Sequence, residues 1–327
     1  MRIVIVGPGA MGSLFCAFLS KSLPATASGG VPPKAATARQ AKEEIWLLDK
    51  NKERAAQIQE SGISVEGISG NWQAQVKVTA DAKEIGEADL IIICVKSYDT
   101  KEAVTHAKSL VSENTRVLTL QNGIGNIEII NEIVGSDKVI GGATNLGATL
   151  LDIGKVRHAG RGETVIGRID GKIPVEMRST REIFNKVGLE TRISRDIKGL
   201  LWSKLIINVG INALTAITRL NNGRLIEFEG TRRILREAVT EAIRVAKRKR
   251  IKLIYDDPLA KVEAVCEATA TNVSSMLQDV LKKKRTEIDF INGVIVRQGQ
   301  ESGIPVPVNS LLVDLVKTIE ASYDLVV

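Results

Sequence analysis

The chain has 327 residues, 44% of them hydrophobic and 25% charged, with a formal net charge of +7. That is enough for two domains of ordinary size with sizeable cores, and it excludes a disordered chain. The positive excess is mild and diffuse; it fits attraction to acidic small molecules and falls short of a nucleic-acid surface. The densest basic run, 247–252, sits where a helical pattern ends, and cations there favour the helix C-terminus. Cys16, Cys94 and Cys266 lie far apart with no CxxC pair, which reads as reduced thiols in a cytosolic protein. No apolar run is expected to approach the roughly 20 residues that cross a bilayer. The N-terminus enters a strand at once and lacks the parts of a signal peptide. The expected setting is cytoplasmic, with neither a membrane nor nucleic acid as partner.

Residues 2–6, RIVIV, form a β-branched run of the kind found in a buried parallel strand. They feed Gly7-Pro8-Gly9-Ala10-Met11-Gly12 and then an apolar helical pattern through Phe15 and Leu19. This is G-x-G-x-x-G in the setting that gives it meaning: strand, tight turn, helix. Gly7 permits the turn, Gly9 lets a pyrophosphate reach the backbone, and Gly12 lets the helix pack on the strand. The helix N-terminus, through Ala10, Met11 and Gly12, offers N–H groups and positive potential to phosphates. Residues 23–43, rich in Ala, Ser, Gly, Pro and Thr, read as a flexible insert before the strand 45–48. In a doubly wound sheet that connection lies at the amino ends of the strands, remote from the ligand crevice. Without the insert, Asp49 falls at the distance from the glycines expected of the acid that binds the adenosine ribose.

Residues 63–65 and 75–78 predict a small antiparallel excursion around Gly70. The run 88–96, ADLIIICVK, is the clearest buried strand, and it ends in Lys96 beside the expected cofactor crevice, where the lysine is either a solvated strand end or a ligand-facing residue. The strand 116–120 ends in QNGIG; Asn122 there is either a ligand-facing residue or part of an Asn-Gly turn. Glycine-rich β runs fill 139–167, and His158 and His106 read as structural, with no catalytic partner for either. A helix over 179–187 and a strand over 190–194 complete a dinucleotide-binding domain spanning 1–194. The remainder, 195–327, reads as all-helical.

That second domain opens with 201–217, LWSKLIINVGINALTAI, an apolar helix carrying Lys204, Asn208 and Asn212 at i, i+4 and i+8. Each four-residue step turns a helix by about 40°, so the three side chains share one side. A lysine and two asparagines on a buried helix are costly unless they find partners, and the plain alternative is that they cap loops or bond one another. Asn222 follows in an Asn-Asn-Gly loop, and a long amphipathic helix runs to about Arg250. Asp257-Pro258 starts another helix, expected to carry Asn272, Ser275 and Asp279 on one side and to fray across 282–285. Thr286-Glu287 opens the next, and a last helix covers 310–321. No metal-ligand cluster appears.

The GxGxxG N-terminus, Lys96, QNGIGN at 121–126, WSKLIINVGINALTAI at 202–217, NNG at 221–223 and NVSSMLQDVLKKKRTEIDFING at 272–293 together resemble the ketopantoate reductase (2-dehydropantoate 2-reductase) family. The likeness covers the whole chain except 23–43. It implies a Rossmann-type α/β domain followed by an all-α domain. It also implies hydride transfer from a reduced nicotinamide to the 2-keto group of 2-dehydropantoate, giving pantoate for pantothenate and coenzyme A synthesis. By the same resemblance Lys204 takes the place of the catalytic lysine, with Glu287 beside it. Asn208, Asn212, Asn222, Ser275 and Glu287 occupy substrate-contact positions, Asn272 helps hold them, and Lys96, Asn122 and Glu287 face cofactor and substrate.

The residue types suit the chemistry on their own terms. Reducing a 2-oxo acid builds negative charge on the carbonyl oxygen, which needs a positioned cation and a proton, and Lys204 supplies both without a metal. The family commonly prefers NADPH, whereas Asp49 suits the free ribose hydroxyls of NADH. Lys50, Lys52 and Arg54 follow closely enough to reach a 2′-phosphate. The competing readings are a reductase of the same fold acting on another 2-oxo acid or a sugar-phosphate ketone, and a non-catalytic dinucleotide-sensing regulator. The expected partner is a small-molecule 2-oxo acid, and the reading leaves room for a homodimer.

Overall fold

The computed structural model describes residues 1–21 and 43–325; the expected insert 23–43, except Glu43, lies outside them. The chain divides into two compact units. Unit 1 holds 1–121 and 126–197, and unit 2 holds 122–125 and 198–327.

The described residues of unit 1 form twelve strands: β1 (Arg2–Val6), β2 (Glu44–Leu48), β3 (Ile63–Gly67), β4 (Trp72–Ala74), β5 (Lys77–Thr79), β6 (Ala88–Ile93), β7 (Val111–Thr119), β8 (Val139–Thr144), β9 (Gly147–Asp152), β10 (Lys155–Gly160), β11 (Thr164–Gly167) and β12 (Thr191–Ile193). Its helices are α1 (Ala10–Lys21), α2 (Lys52–Ser61), α3 (Thr100–His106), α4 (Asn126–Val134) and α5 (Val175–Lys186). Eight strands form one sheet in the order β12-β11-β8-β7-β6-β1-β2-β5, parallel except where β11 meets β8. The sheet grows from β1 through β2 to β5 on one side, then from β6 through β7 to β8 on the other. The strand order therefore reverses between β1 and β6, where doubly wound sheets bind their ligands.

β1 and β6 are β-branched runs buried on both faces, as central parallel strands must be. The chain re-enters the sheet at the amino end of β2, where Glu44 pairs with Arg2. A second sheet, in the order β4-β3-β10-β9, packs on α1, which also contacts the main sheet. That double cover explains why α1 buries every residue from Gly12 to Ser20. Phe18 meets Trp72 and His158 edge-on, each with ring centroids 5.5 Å apart, so His158 is a packed strand residue.

The antiparallel excursion differs from the sequence expectation. β3 pairs with β4, whereas 77–79 joins the main sheet beside β2 as β5. The turn closes through Gly67 and Gly70, both at positive φ, which places the returning strand at Trp72 rather than Gln75.

Unit 2 is helical: α6 (Ile197–Thr218), α7 (Glu229–Arg248), α8 (Pro258–Ala268), α9 (Ser275–Leu281), α10 (Asn292–Ser302) and α11 (Pro307–Ala321). α6 starts earlier than the sequence pattern indicated and is 22 residues long. It is apolar enough to cross a membrane, contrary to the sequence expectation, but 72% of its apolar window is buried inside the protein. It is the core helix of this unit. At Gly210 an added Cβ would lie 2.8 Å from Val239 and 2.9 Å from Val262, so glycine lets α7 and α8 close on α6.

The single helix expected from 258 through Asp279 is two. α8 stops at Ala268, and Asn272 lies in the connection. The β-branched Thr269 and Thr271 disfavour continuation, and Ser274 starts α9 by accepting from the Leu277 amide at 3.1 Å. The interruption has a use: the Asn222 amide donates to the Asn272 carbonyl, and that of Gly223 to Ala270.

Candidate active site

The glycine loop lies at the strand-order reversal. Gly7 follows β1 at φ +102°, and a Cβ there would lie 2.6 Å from Val95 Cγ1, just past β6. A Cβ on Gly12 would collide with the Gly7 carbonyl oxygen and approach Cys94 Cβ at 3.2 Å. Gly9 is different. Its nearest neighbour to an added Cβ is the Cys94 carbonyl at 3.8 Å, so packing inside the protein does not demand glycine. What glycine leaves is an open approach to the backbone ahead of α1. The first-turn amides of α1, from Ala10, Met11 and Gly12, have no acceptor within the helix, as at any helix start. This cradle fits a dinucleotide pyrophosphate.

Asp49 directly follows β2, is only 2% exposed, and donates its amide proton to the Thr79 carbonyl. Its carboxylate accepts from Arg54 Nε at 2.5 Å, Arg54 Nη2 at 2.6 Å and the Asn51 amide at 3.2 Å. Arg54, which sequence reasoning offered to a phosphate, folds onto Asp49. It is placed there because Asn51 caps α2 through the Arg54 amide. The Lys50 ammonium meets Glu102 at 2.9 Å and Asp99 at 3.6 Å. Lys52 is exposed.

Lys96 is half-buried and precedes a short 3-10 turn, Ser97–Asp99. Asn122 belongs to unit 2, together with Gly123, Ile124 and Gly125. The Ile124 amide donates to the Phe290 carbonyl at 3.1 Å, and Gly123, at φ +82°, passes so close to that carbonyl that no Cβ fits. This backbone contact places Asn122 with the segment that follows Glu287.

On α6, Lys204 and Asn208 are half-buried and Asn212 is 5% exposed, while Leu205, Ile206, Val209 and Ala213 enter the core. Thr215, one turn beyond Asn212, shares a 2.6 Å hydrogen bond with Ser274, which ties the start of α9 to α6 and places Ser275 at its first turn. Asn222 is buried; its Nδ2 donates to Thr269 Oγ1 at 2.9 Å, and its Oδ1 has no hydrogen-bond partner. Glu287 is 6% exposed. Burial pushes the Lys204 ammonium down to about 8, and the Glu287 carboxylate pushes it back up. Within unit 2, Glu287 thus acts electrostatically on Lys204, and Asn222 is joined to Asn272 through the backbone.

Two groups escaped the sequence reading. Asn292, fully buried, donates to the Val209 carbonyl on α6 and to Asn309; Asn309 in turn donates to Glu241, whose carboxylate also takes the Val308 and Asn309 amides. This buried network fixes α6 from behind. The other is the buried polar set Ser97, Thr100, Gln121 and Asn126 on either side of Lys96. Neither follows a spacing rule that a sequence scan detects. Among the described residues no group of His, Cys, Asp and Glu could hold a metal ion.

A doubly wound sheet with a glycine cradle at its reversal, followed by a helical unit carrying a depressed lysine and carboxamides, defines a two-part dinucleotide-dependent oxidoreductase. The family model for ketopantoate reductase PanE/ApbA matches residues 35–171, and the model for the C-terminal part of that family matches 196–320. The 2-dehydropantoate 2-reductase of Halobacterium salinarum is 36% identical over 97% of this chain and 98% of its own length. The enzyme of the same name from Archaeoglobus fulgidus is 34% identical over 98% of each. A PanE/ApbA family ketopantoate reductase from Ralstonia eutropha superposes with a TM-score of 0.86 at 32% identity, covering 99% of this chain and 100% of that one. A D-mandelate dehydrogenase solved with NADH and anilino(oxo)acetate superposes with a TM-score of 0.87 at 27% identity, again covering 99% and 100%. The chain belongs to the ketopantoate reductase family.

Proposed function

We propose that this chain is a 2-dehydropantoate 2-reductase, reducing the 2-keto group of 2-dehydropantoate to pantoate with a nicotinamide cofactor. The observation that carries the reading is Lys204, a lysine held near 8 on a core helix with Glu287 acting on it. It is joined by relatives of that name matched over nearly their full length. The bound cofactor would supply the hydride to the carbonyl carbon, held by the Gly7–Gly12 loop and Lys96, with the Asp49–Arg54 pair at the ribose edge. Lys204, protonated, draws the developing charge on the carbonyl oxygen and then gives it a proton, leaving an alcohol and a neutral amine. Glu287 keeps Lys204 charged by opposing the desolvation that would discharge it. Asn208, Asn212 and Ser275 offer neutral donors to the substrate carboxylate and hydroxyl at less desolvation cost than a second cation. The unpartnered Oδ1 of Asn222 accepts a substrate hydroxyl.

The test follows nicotinamide absorbance with purified protein and 2-dehydropantoate, and then with phenylglyoxylate and other 2-oxo acids. The reading stands on a kcat/KM for 2-dehydropantoate well above the others. A preference for phenylglyoxylate would instead move the chain toward the D-mandelate dehydrogenase with which it superposes.

Cofactor choice turns on Asp49. With Arg54 bound to it bidentately, neither a free carboxylate nor a free guanidinium faces the ribose edge. The expected outcome is weak discrimination, with NADH and NADPH within about tenfold, or 1.4 kcal/mol, in kcat/KM. Asp49→Ala releases Arg54 and should move the ratio toward NADPH. An unchanged ratio would remove Asp49 from the ribose site.

A further inference from the structure

Lys96 is bracketed by a buried polar clasp whose members are far apart in sequence. Gln121 Nε2 donates to the Val95 carbonyl at 2.9 Å, on the residue just before Lys96, and to Thr100 Oγ1 at 2.8 Å. Asn126 Nδ2 donates to Ser97 Oγ at 3.2 Å, on the residue just after it. Thr100 is the hub. Its hydroxyl accepts from Gln121 and lies 2.8 Å from the Ser97 carbonyl and 2.9 Å from Asn126 Oδ1. A hydroxyl has one proton to give. The Ser97 carbonyl already takes the Thr100 amide, so that proton is best used on Asn126 Oδ1. The order of donation is then Gln121 to Thr100 to Asn126 to Ser97. Thr119 Oγ1 donates to Gln121 Oε1 at 3.0 Å, which fixes the orientation of the amide at the head of the chain.

All four linked residues are at most 8% exposed, and Thr100 is fully buried. Core packing at strand ends is met more cheaply with apolar groups, because every buried polar atom must be satisfied. The clasp ties the Val95 carbonyl to Gln121 and the Ser97 side chain to Asn126, and so steadies the backbone on both sides of Lys96.

We propose that Thr100 and Gln121 are positioning residues that act through Lys96, holding it for the reaction. This rests on the reading of Lys96 as a cofactor- and substrate-facing residue. The clasp does no chemistry itself; breaking it lets the 95–97 backbone relax and misdirects the lysine. Thr100→Val removes the hydroxyl at nearly constant shape, whereas Thr100→Ser keeps it. Gln121→Met removes the head of the chain and provides a second route should Thr100→Val fail to fold.

The experiment is a double-mutant cycle on the full chain, measuring kcat and KM for cofactor and 2-dehydropantoate, with thermal unfolding to confirm folding. Thr100→Val and Gln121→Met are each expected to lower kcat/KM about tenfold, and Thr100→Ser to restore it within about twofold. In a Lys96→Ala background, neither Thr100→Val nor Gln121→Met should cost more than about a further twofold. Full additivity of the losses, with Lys96→Ala itself impaired, would overturn the positioning role while leaving the Lys96 assignment intact. A Lys96→Ala enzyme with normal kinetics would overturn both.

Discussion

Lys204→Ala is expected to lower kcat by roughly 10²–10⁴-fold, the usual contribution of a positioned general acid. The lysine stands on a helix whose other face is core, and α7 and α8 close on that helix at Gly210, so its backbone has little freedom to drift. Truncation removes the ammonium while the apolar core residues of α6, Leu205, Ile206 and Val209, stay in place. The loss should therefore fall on kcat while the thermal midpoint and cofactor affinity remain close to wild type. Near-normal turnover in a folded Lys204→Ala enzyme would remove Lys204 from the chemistry. A loss confined to KM would make it a binding residue.

The second large effect separates two glycines that look alike in the motif. Gly9→Ala adds a methyl group where the nearest protein atom is 3.8 Å away, so the fold should accept it. The methyl occupies the approach that a pyrophosphate needs, and cofactor affinity should fall by roughly 10²-fold, about 2.7 kcal/mol, with an unchanged thermal midpoint. Gly12→Ala places its methyl group against the Gly7 carbonyl and Cys94, so α1 must back away from β1. It should lose affinity and stability together. Nicotinamide fluorescence titration and thermal unfolding of both variants check the pair. Unaltered cofactor binding by Gly9→Ala would place the pyrophosphate elsewhere.

The parts of this molecule that were legible in the sequence are those with a short period or a short span. The glycine loop announces itself because strand, turn and helix are contiguous. The face bearing Lys204, Asn208 and Asn212 follows from helical spacing alone. The α8–α9 interruption was not legible because its cause is distant: the Asn222–Gly223 backbone takes its partners from 270–272. The position of Asp49 just after its strand is legible, but its clamp is not. Arg54 lies five residues on, and only the Asn51 cap brings it round. The Thr100–Asn126 contact spans 26 residues and joins types that read as turn formers in isolation. Likewise Glu241 and Asn309 meet across 68 residues, and a carboxylate within an amphipathic helix gives no sign that it will be buried. Polar networks of this kind are properties of the packed chain.

The most direct test of the central claim is the pH dependence of kcat/KM. Lys204 must be protonated to act as the acid, and burial has lowered it to about 8. Activity should hold below that value and fall as pH rises through it. Glu287 opposes the burial, so Glu287→Gln should lower the Lys204 value further and move the fall to lower pH. A profile that breaks near pH 8 in the wild type and at distinctly lower pH in Glu287→Gln is the expected result. A break that stays in place, or that moves to higher pH, would contradict the account.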